Sequence, residues 1–132
     1  MIIQPIDYFL VVWFVLAVLA AFAASAGSQV VDIAWDASGS FETKSPVAPG
    51  KFVEVCGKLN KSQAVAWRFE ADQPIDFNIH YHAAGQVVFP EKRVAAAAAS
   101  GTLKVPVDQD YCWMWTNPAK ADALVTLGLR LQ

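Results

Sequence analysis

The sequence predicts an all-β fold: an antiparallel β-sandwich of about seven to eight strands, preceded by one N-terminal hydrophobic helix. Three observations carry that prediction. Short segments in which apolar and polar residues alternate recur along the chain from residue 51 onward, the period of a half-buried strand. Gly, Pro, Asn and Asp separate these segments at close spacing, and no amphipathic helix pattern interrupts them. Ahead of them lies an apolar run, residues 8–26, in which Ser25 is the one polar residue beyond the ring tips of Tyr8 and Trp13.

Composition bounds the rest. Of 132 residues, 55% are hydrophobic, above the usual share for a soluble domain. The excess is local, because no charge occurs between Asp7 and Asp32 and every Lys and Arg lies at Lys44 or later. As a helix the apolar run would reach roughly 28 Å, close to the thickness of a bilayer's hydrocarbon core. Its length and the lack of a basic leading segment fit an uncleaved transmembrane anchor, while Ala24-Ser25-Ala26 fits the end of a cleaved signal segment. Both readings place the remainder on the extracytoplasmic side, periplasmic or extracellular, anchored to the membrane or secreted. The expected organisation is therefore an anchor or signal segment over 1–28, a linker or edge strand over 29–50, and a β-sandwich domain over 51–132. A net charge of -2 offers no basic footprint for nucleic acid and no polybasic cluster for lipid headgroups.

Val30, Val31, Ile33 and Trp35 suggest a first strand over 29–35. Residues 37–50, with Gly39, Pro46, Pro49 and Gly50 among Ser and Thr, read as a linker or an edge loop. Residues 51–56 alternate as a strand, and 57–62 form a polar turn. In 63–70, Val65, Trp67 and Phe69 take one face while Arg68 and Glu70 take the other; Asp72-Gln73-Pro74 is a turn. Ile75, Phe77, Ile79 and Tyr81 then face inward, leaving Asp76, Asn78, His80 and His82 outward. A short strand over 86–89 stops at Pro90. The five alanines 95–99 favour one helical turn or a loose loop, and 102–107 is a further strand.

The stretch Tyr111-Cys112-Trp113-Met114-Trp115-Thr116-Asn117 organises the rest, with an aromatic at every second position. Tyr111, Trp113 and Trp115 share one face and Cys112, Met114 and Thr116 the other, so both faces read as largely apolar, like a central strand covered on each side. Residues 123–131 close the chain. Cys56 and Cys112 each fall in a predicted strand, outside any CxxC or zinc-type spacing. In an oxidising compartment they pair most simply, closing a loop for about 4 kcal/mol in the chain-entropy model. Two buried free thiols are the alternative.

Trp67-Arg68-Phe69, Asp76-Phe77-Asn78-Ile79, the run from Tyr111 through Trp115 to Asn117, and the following Val125-Thr126-Leu127 stand in an order that resembles the GOLD domain. That is the lumenal β-sandwich of p24-type secretory cargo proteins and some lipid-transfer proteins, and the resemblance spans residues 51–132. It implies an extracytoplasmic module that engages a protein or lipid partner without catalysis. A p24-type chain carries its membrane span after the domain, whereas the apolar run here comes first, so cargo sorting does not follow. The immunoglobulin pattern fits less well, because Tyr111 directly precedes Cys112 instead of standing two residues before it.

No GxSxG, P-loop, HExxH or GxGxxG pattern occurs, so no enzyme class is suggested. The expected function is a non-enzymatic binding module that is membrane-tethered or secreted. Its binding face comprises Arg68, Glu70, Asn78, His80 and His82. The alternative is a periplasmic Cu or Zn protein, since His80 and His82 stand two apart on a strand and could direct both imidazoles at one ion. Surface histidines bonded to Glu70 or Asn78 would be the structural explanation for the same pair.

Overall fold

The computed structural model describes residues 27–132, and every regular element in them is a strand. The apolar run 8–26, and with it the anchor and signal readings and the expected N-terminal helix, lies outside the described residues. The strands are β1 (Gln29–Asp32), β2 (Ser40–Val47), β3 (Phe52–Leu59), β4 (Ala64–Ala83), β5 (Gln86–Lys104), β6 (Gln109–Thr116) and β7 (Ala123–Leu131). They hydrogen-bond in the order β1-β3-β6-β4-β7-β2, with β5 on the other side of β4. All pairings are antiparallel except β1 with β3.

β4 makes one curled sheet into a sandwich. Its first half pairs with β7, from Val65↔Leu131 to Ala71↔Val125, and its second half with β6, from Asp76↔Thr116 to Tyr81↔Tyr111. Phe69 and Phe77 are eight positions apart, which in a straight strand would be roughly 27 Å. Their ring centroids are 4.7 Å apart, and Trp67 lies 5.1 Å from Phe77. The strand therefore folds over between them, and the wing β2-β7-β4-β5 packs against the wing β1-β3-β6-β4-β5. Of the expected core between the wings, Val65, Trp67, Phe69, Ile75, Phe77, Ile79, Tyr111, Trp113 and Trp115 are buried, while Tyr81 is half-buried against them.

The bend is built from residues that read as a turn. Pro74 has no N–H to give a ladder, and the β4–β5 register shifts between Glu70 and Ile75. The polar side chains there bind backbone: Asp72 Oδ1 accepts from Leu124 N at 2.9 Å, and Asp76 Oδ1 accepts from Ala95 N at 3.0 Å. Ala95 has a φ of 52°, a left-handed conformation tolerated at a bulge. Asn117 is fully buried behind the bend. Its amide donates to Val47 O and Ala121 O, both at 2.8 Å, and its Oδ1 accepts from Ala119 N and Gln73 Nε2.

Three local expectations are corrected. Residues 40–47, read as a linker, edge loop or edge strand, are no loop but form β2 at the end of the sheet, pairing along its whole length with β7. The alanines 95–99 lie in β5 and not in a helical turn, because β4 offers them a ladder that outweighs alanine's helix preference. β6 is covered on one side only. Tyr111, Trp113 and Trp115 are buried, whereas Cys112, Met114 and Thr116 are half-exposed because, among the described residues, no third layer lies outside them.

Candidate functional site

Cys56 and Cys112 are opposite one another on β3 and β6, 4.1 Å apart at Cα, and are disulfide-bonded. The bridge sits on the outer face of its wing, because the neighbours Val55 and Trp113 occupy the inner face. His80 on β4 is the register partner of Cys112 on its other side. One row across three strands thus reads Cys56, Cys112, His80.

His80 was expected at the surface with His82, yet its side chain is only 6% exposed. A residue facing outward on a strand is buried when its neighbours are large. Here the disulfide and Met114 stand beside it on β6, and the Phe89 ring of β5 lies 5.9 Å from the imidazole. Each ring nitrogen faces a side-chain oxygen. Nδ1 is 2.8 Å from Asn78 Oδ1, and Nε2 is 3.4 Å from Glu54 Oε1. Burial pushes the His80 pKa below the ordinary histidine value; the Glu54 charge opposes that shift and His82 adds to it. His82 is exposed, with its ring edge-on to His80 at 5.4 Å between centroids.

Arg68 and Glu70 project outward from the first half of β4, on the opposite wing. Arg68 lies over Gly128, where an added Cβ would crowd the guanidinium, and its Nη2 donates to Glu42 Oε1 at 2.7 Å. Ala98, Ser100 and Thr126 surround it, leaving two shallow grooves of about 490 and 430 Å³ beside the Arg68 side chain. The bend in β4 therefore separates Arg68 and Glu70 from Asn78, His80 and His82, which do not share one surface. Glu54 joins the histidine cluster unannounced by sequence. Its proximity depends on β3 and β4 flanking β6, a sheet order that alternation along one strand does not encode.

No protein-family model matches the chain, and no curated protein matches it in sequence. Solved structures do share the fold. PliG from Aeromonas hydrophila, a periplasmic lysozyme inhibitor of g-type lysozyme, superposes with a TM-score of 0.61 at 12% identity, covering 81% of this chain and 100% of that one. Salmonella Typhimurium PliG gives 0.56 at 9% identity, over 80% of this chain and 100% of that one. The pre-peptidase C-terminal domain of a Bacillus anthracis collagenase gives 0.52 at 9%, over 83% of this chain and 99% of that one.

These neighbours overturn the GOLD resemblance. The residues that carried it have local duties that any sandwich can require. Trp67 and Phe69 fill the core, Asp76 holds the bulge at Ala95, and Asn117 ties the end of β2 to the turn at residues 119–121. The Tyr111 hydroxyl donates to Val107 O at 2.8 Å, pinning the turn before its own strand.

Proposed function

We propose that this chain is an extracytoplasmic, non-enzymatic protein-binding module, acting by surface complementarity in the manner of a secreted inhibitor. The observation that carries the reading is the likeness over the full length of the PliG inhibitors, which are periplasmic proteins directed at g-type lysozyme. The cross-strand disulfide supports an oxidising compartment, and the apolar run 8–26 supplies a route of export, with the chain either tethered or released.

The experiment is direct. The chain is titrated into a g-type lysozyme digesting cell walls, alongside a pull-down with the same enzyme. Inhibition with stoichiometric complex formation supports the reading; neither effect at micromolar protein rejects lysozyme as the partner. Arg68→Glu and His82→Ala then test the two wings separately, since a single docking surface uses one of them. Copper or zinc held by His80 and His82 is the weaker reading, because Asn78 occupies His80 Nδ1 and Nε2 points to Glu54 instead of toward a site shared with His82.

A further inference from the structure

The described residues hold one set of metal-ligating side chains gathered tightly enough to matter. A carboxylate oxygen of Glu54, a ring nitrogen of His80 and Sγ of Cys112 all lie within 4.8 Å of one another. Cys56 stands next to this group without belonging to it, its sulfur bonded to that of Cys112, and reduction would free it as a fourth donor. Zinc takes thiolate sulfur at about 2.3 Å and imidazole nitrogen at about 2.0–2.1 Å. Ligand atoms this close need only small side-chain movements to converge on one ion.

The hydrogen bonding around His80 is that of a ligand in waiting. Asn78 Oδ1, 2.8 Å from Nδ1, is an acceptor and holds the ring proton on that nitrogen. Metal-bound histidines are commonly oriented this way, by a carbonyl or carboxylate on the far nitrogen. Nε2 is then a lone pair facing the Glu54 carboxylate at 3.4 Å, acceptor against acceptor, with the imidazole side chain only 6% exposed. A buried ring nitrogen and a half-buried carboxylate, both acceptors aimed at each other, want a cation between them. In the disulfide form the adjoining sulfurs carry no thiolate charge and add no anionic donor to the pair.

We propose that reduction of the Cys56–Cys112 disulfide opens a site for a thiophilic divalent cation of the zinc type. Its ligands are the two thiolates, His80 Nε2 and the Glu54 carboxylate. A dithiol reductant supplies the two electrons and two protons. The S–S bond breaks, two thiols form, and the reductant leaves as its own disulfide. Binding the cation then releases both thiol protons to solvent. The strands can stay in place meanwhile, because β3 and β6 pair from Phe52↔Thr116 to Leu59↔Gln109 with Val53, Val55, Trp113 and Trp115 buried on the opposite face. The donor set suits zinc over magnesium or calcium, which take oxygen ligands. This site is independent of lysozyme binding, and its test does not involve that enzyme.

The test is a Co²⁺ titration of the full chain, oxidised and then reduced with a phosphine, followed by Zn²⁺ displacement. The reduced protein is expected to show a near-ultraviolet thiolate-to-cobalt band that saturates at one equivalent and is bleached by Zn²⁺; the oxidised protein is expected to show none. Glu54→Gln and His80→Ala are each expected to weaken Zn²⁺ binding by the reduced protein at least tenfold. Circular dichroism accompanies every titration. Loss of the β signature on reduction overturns the proposal, as does a reduced, folded protein without the band. Equal binding by the Glu54→Gln and wild-type proteins also overturns it. So does weakening by His82→Ala in place of Glu54→Gln, which would assign the ion to the histidine pair.

Discussion

The two outer faces of this sandwich are supplied by one strand, yet they treat their polar residues in opposite ways. On the wing beside β6, His80 of β4 is buried under a disulfide and an aromatic ring, with both nitrogens near partners. On the wing beside β7, Arg68 of the same strand is 68% exposed at its side chain and rests over a glycine. The alternation of the strand is the same in both halves. What differs is the size of the neighbours across the ladder: Cys112, Met114 and Phe89 in one case, Gly128, Ala98 and Ser100 in the other. Burial of an outward residue is thus set by the adjoining strands, and only secondarily by its own polarity.

The comparison can be broken most forcefully at the disulfide. Replacing Cys56 and Cys112 by Ser should cost about 2–5 kcal/mol, read from chemical denaturation under non-reducing conditions. A loss below about 1 kcal/mol would mean that the bridge contributes little to the first wing.

Gly101→Ala should come next. An added Cβ there would sit 2.8 Å from the Trp67 ring, and a packed indole has nowhere to go, so overpacking should cost about 1–3 kcal/mol. Gly128→Ala is its matched control on the same wing. The atom that its Cβ meets is the end of the exposed Arg68 side chain, which can swing into water. A smaller loss for Gly128→Ala than for Gly101→Ala in parallel denaturation curves is the expected order.

Acidification should sharpen the contrast between the wings. His80 titrates below its ordinary value because burial disfavours the charged ring. The unfolded chain takes up that proton near pH 6.5 while the folded chain still resists it. Stability is therefore greatest above pH 6.5 and falls as pH drops from there toward the folded pKa. His80→Gln should lose less stability than wild type between pH 7.5 and 5.5, measured by urea denaturation at both values. An identical decline in the two proteins would assign the pH dependence elsewhere.

The smallest effect belongs to Arg68. An exposed ion pair contributes about 0–1 kcal/mol, so Arg68→Ala should leave the melting curve nearly unchanged at moderate salt. A loss above about 1.5 kcal/mol would show the Arg68–Glu42 pair to be a structural clamp on the second wing.

Sequence by itself determined the all-β class and the inner face of each half of β4, while for β6 it read both faces as covered and the structure covers one. Side chains alternate with period two, so Val65, Trp67 and Phe69, and again Ile75, Phe77 and Ile79, share one face wherever the strand is placed. It also indicated the cysteine pair. The tertiary structure alone decided that Asp72-Gln73-Pro74 is a fold within one continuous strand, which sends Arg68 and His80 to opposite faces. It decided, too, that residues 40–47 and the alanine run are strands, because a ladder partner supplied from a distant part of the chain overrides weak local preference. The meeting of Glu54, His80 and the disulfide has the same origin. Strand order depends on how the wings close over their shared core, and residues far apart in the chain become neighbours only after that closure.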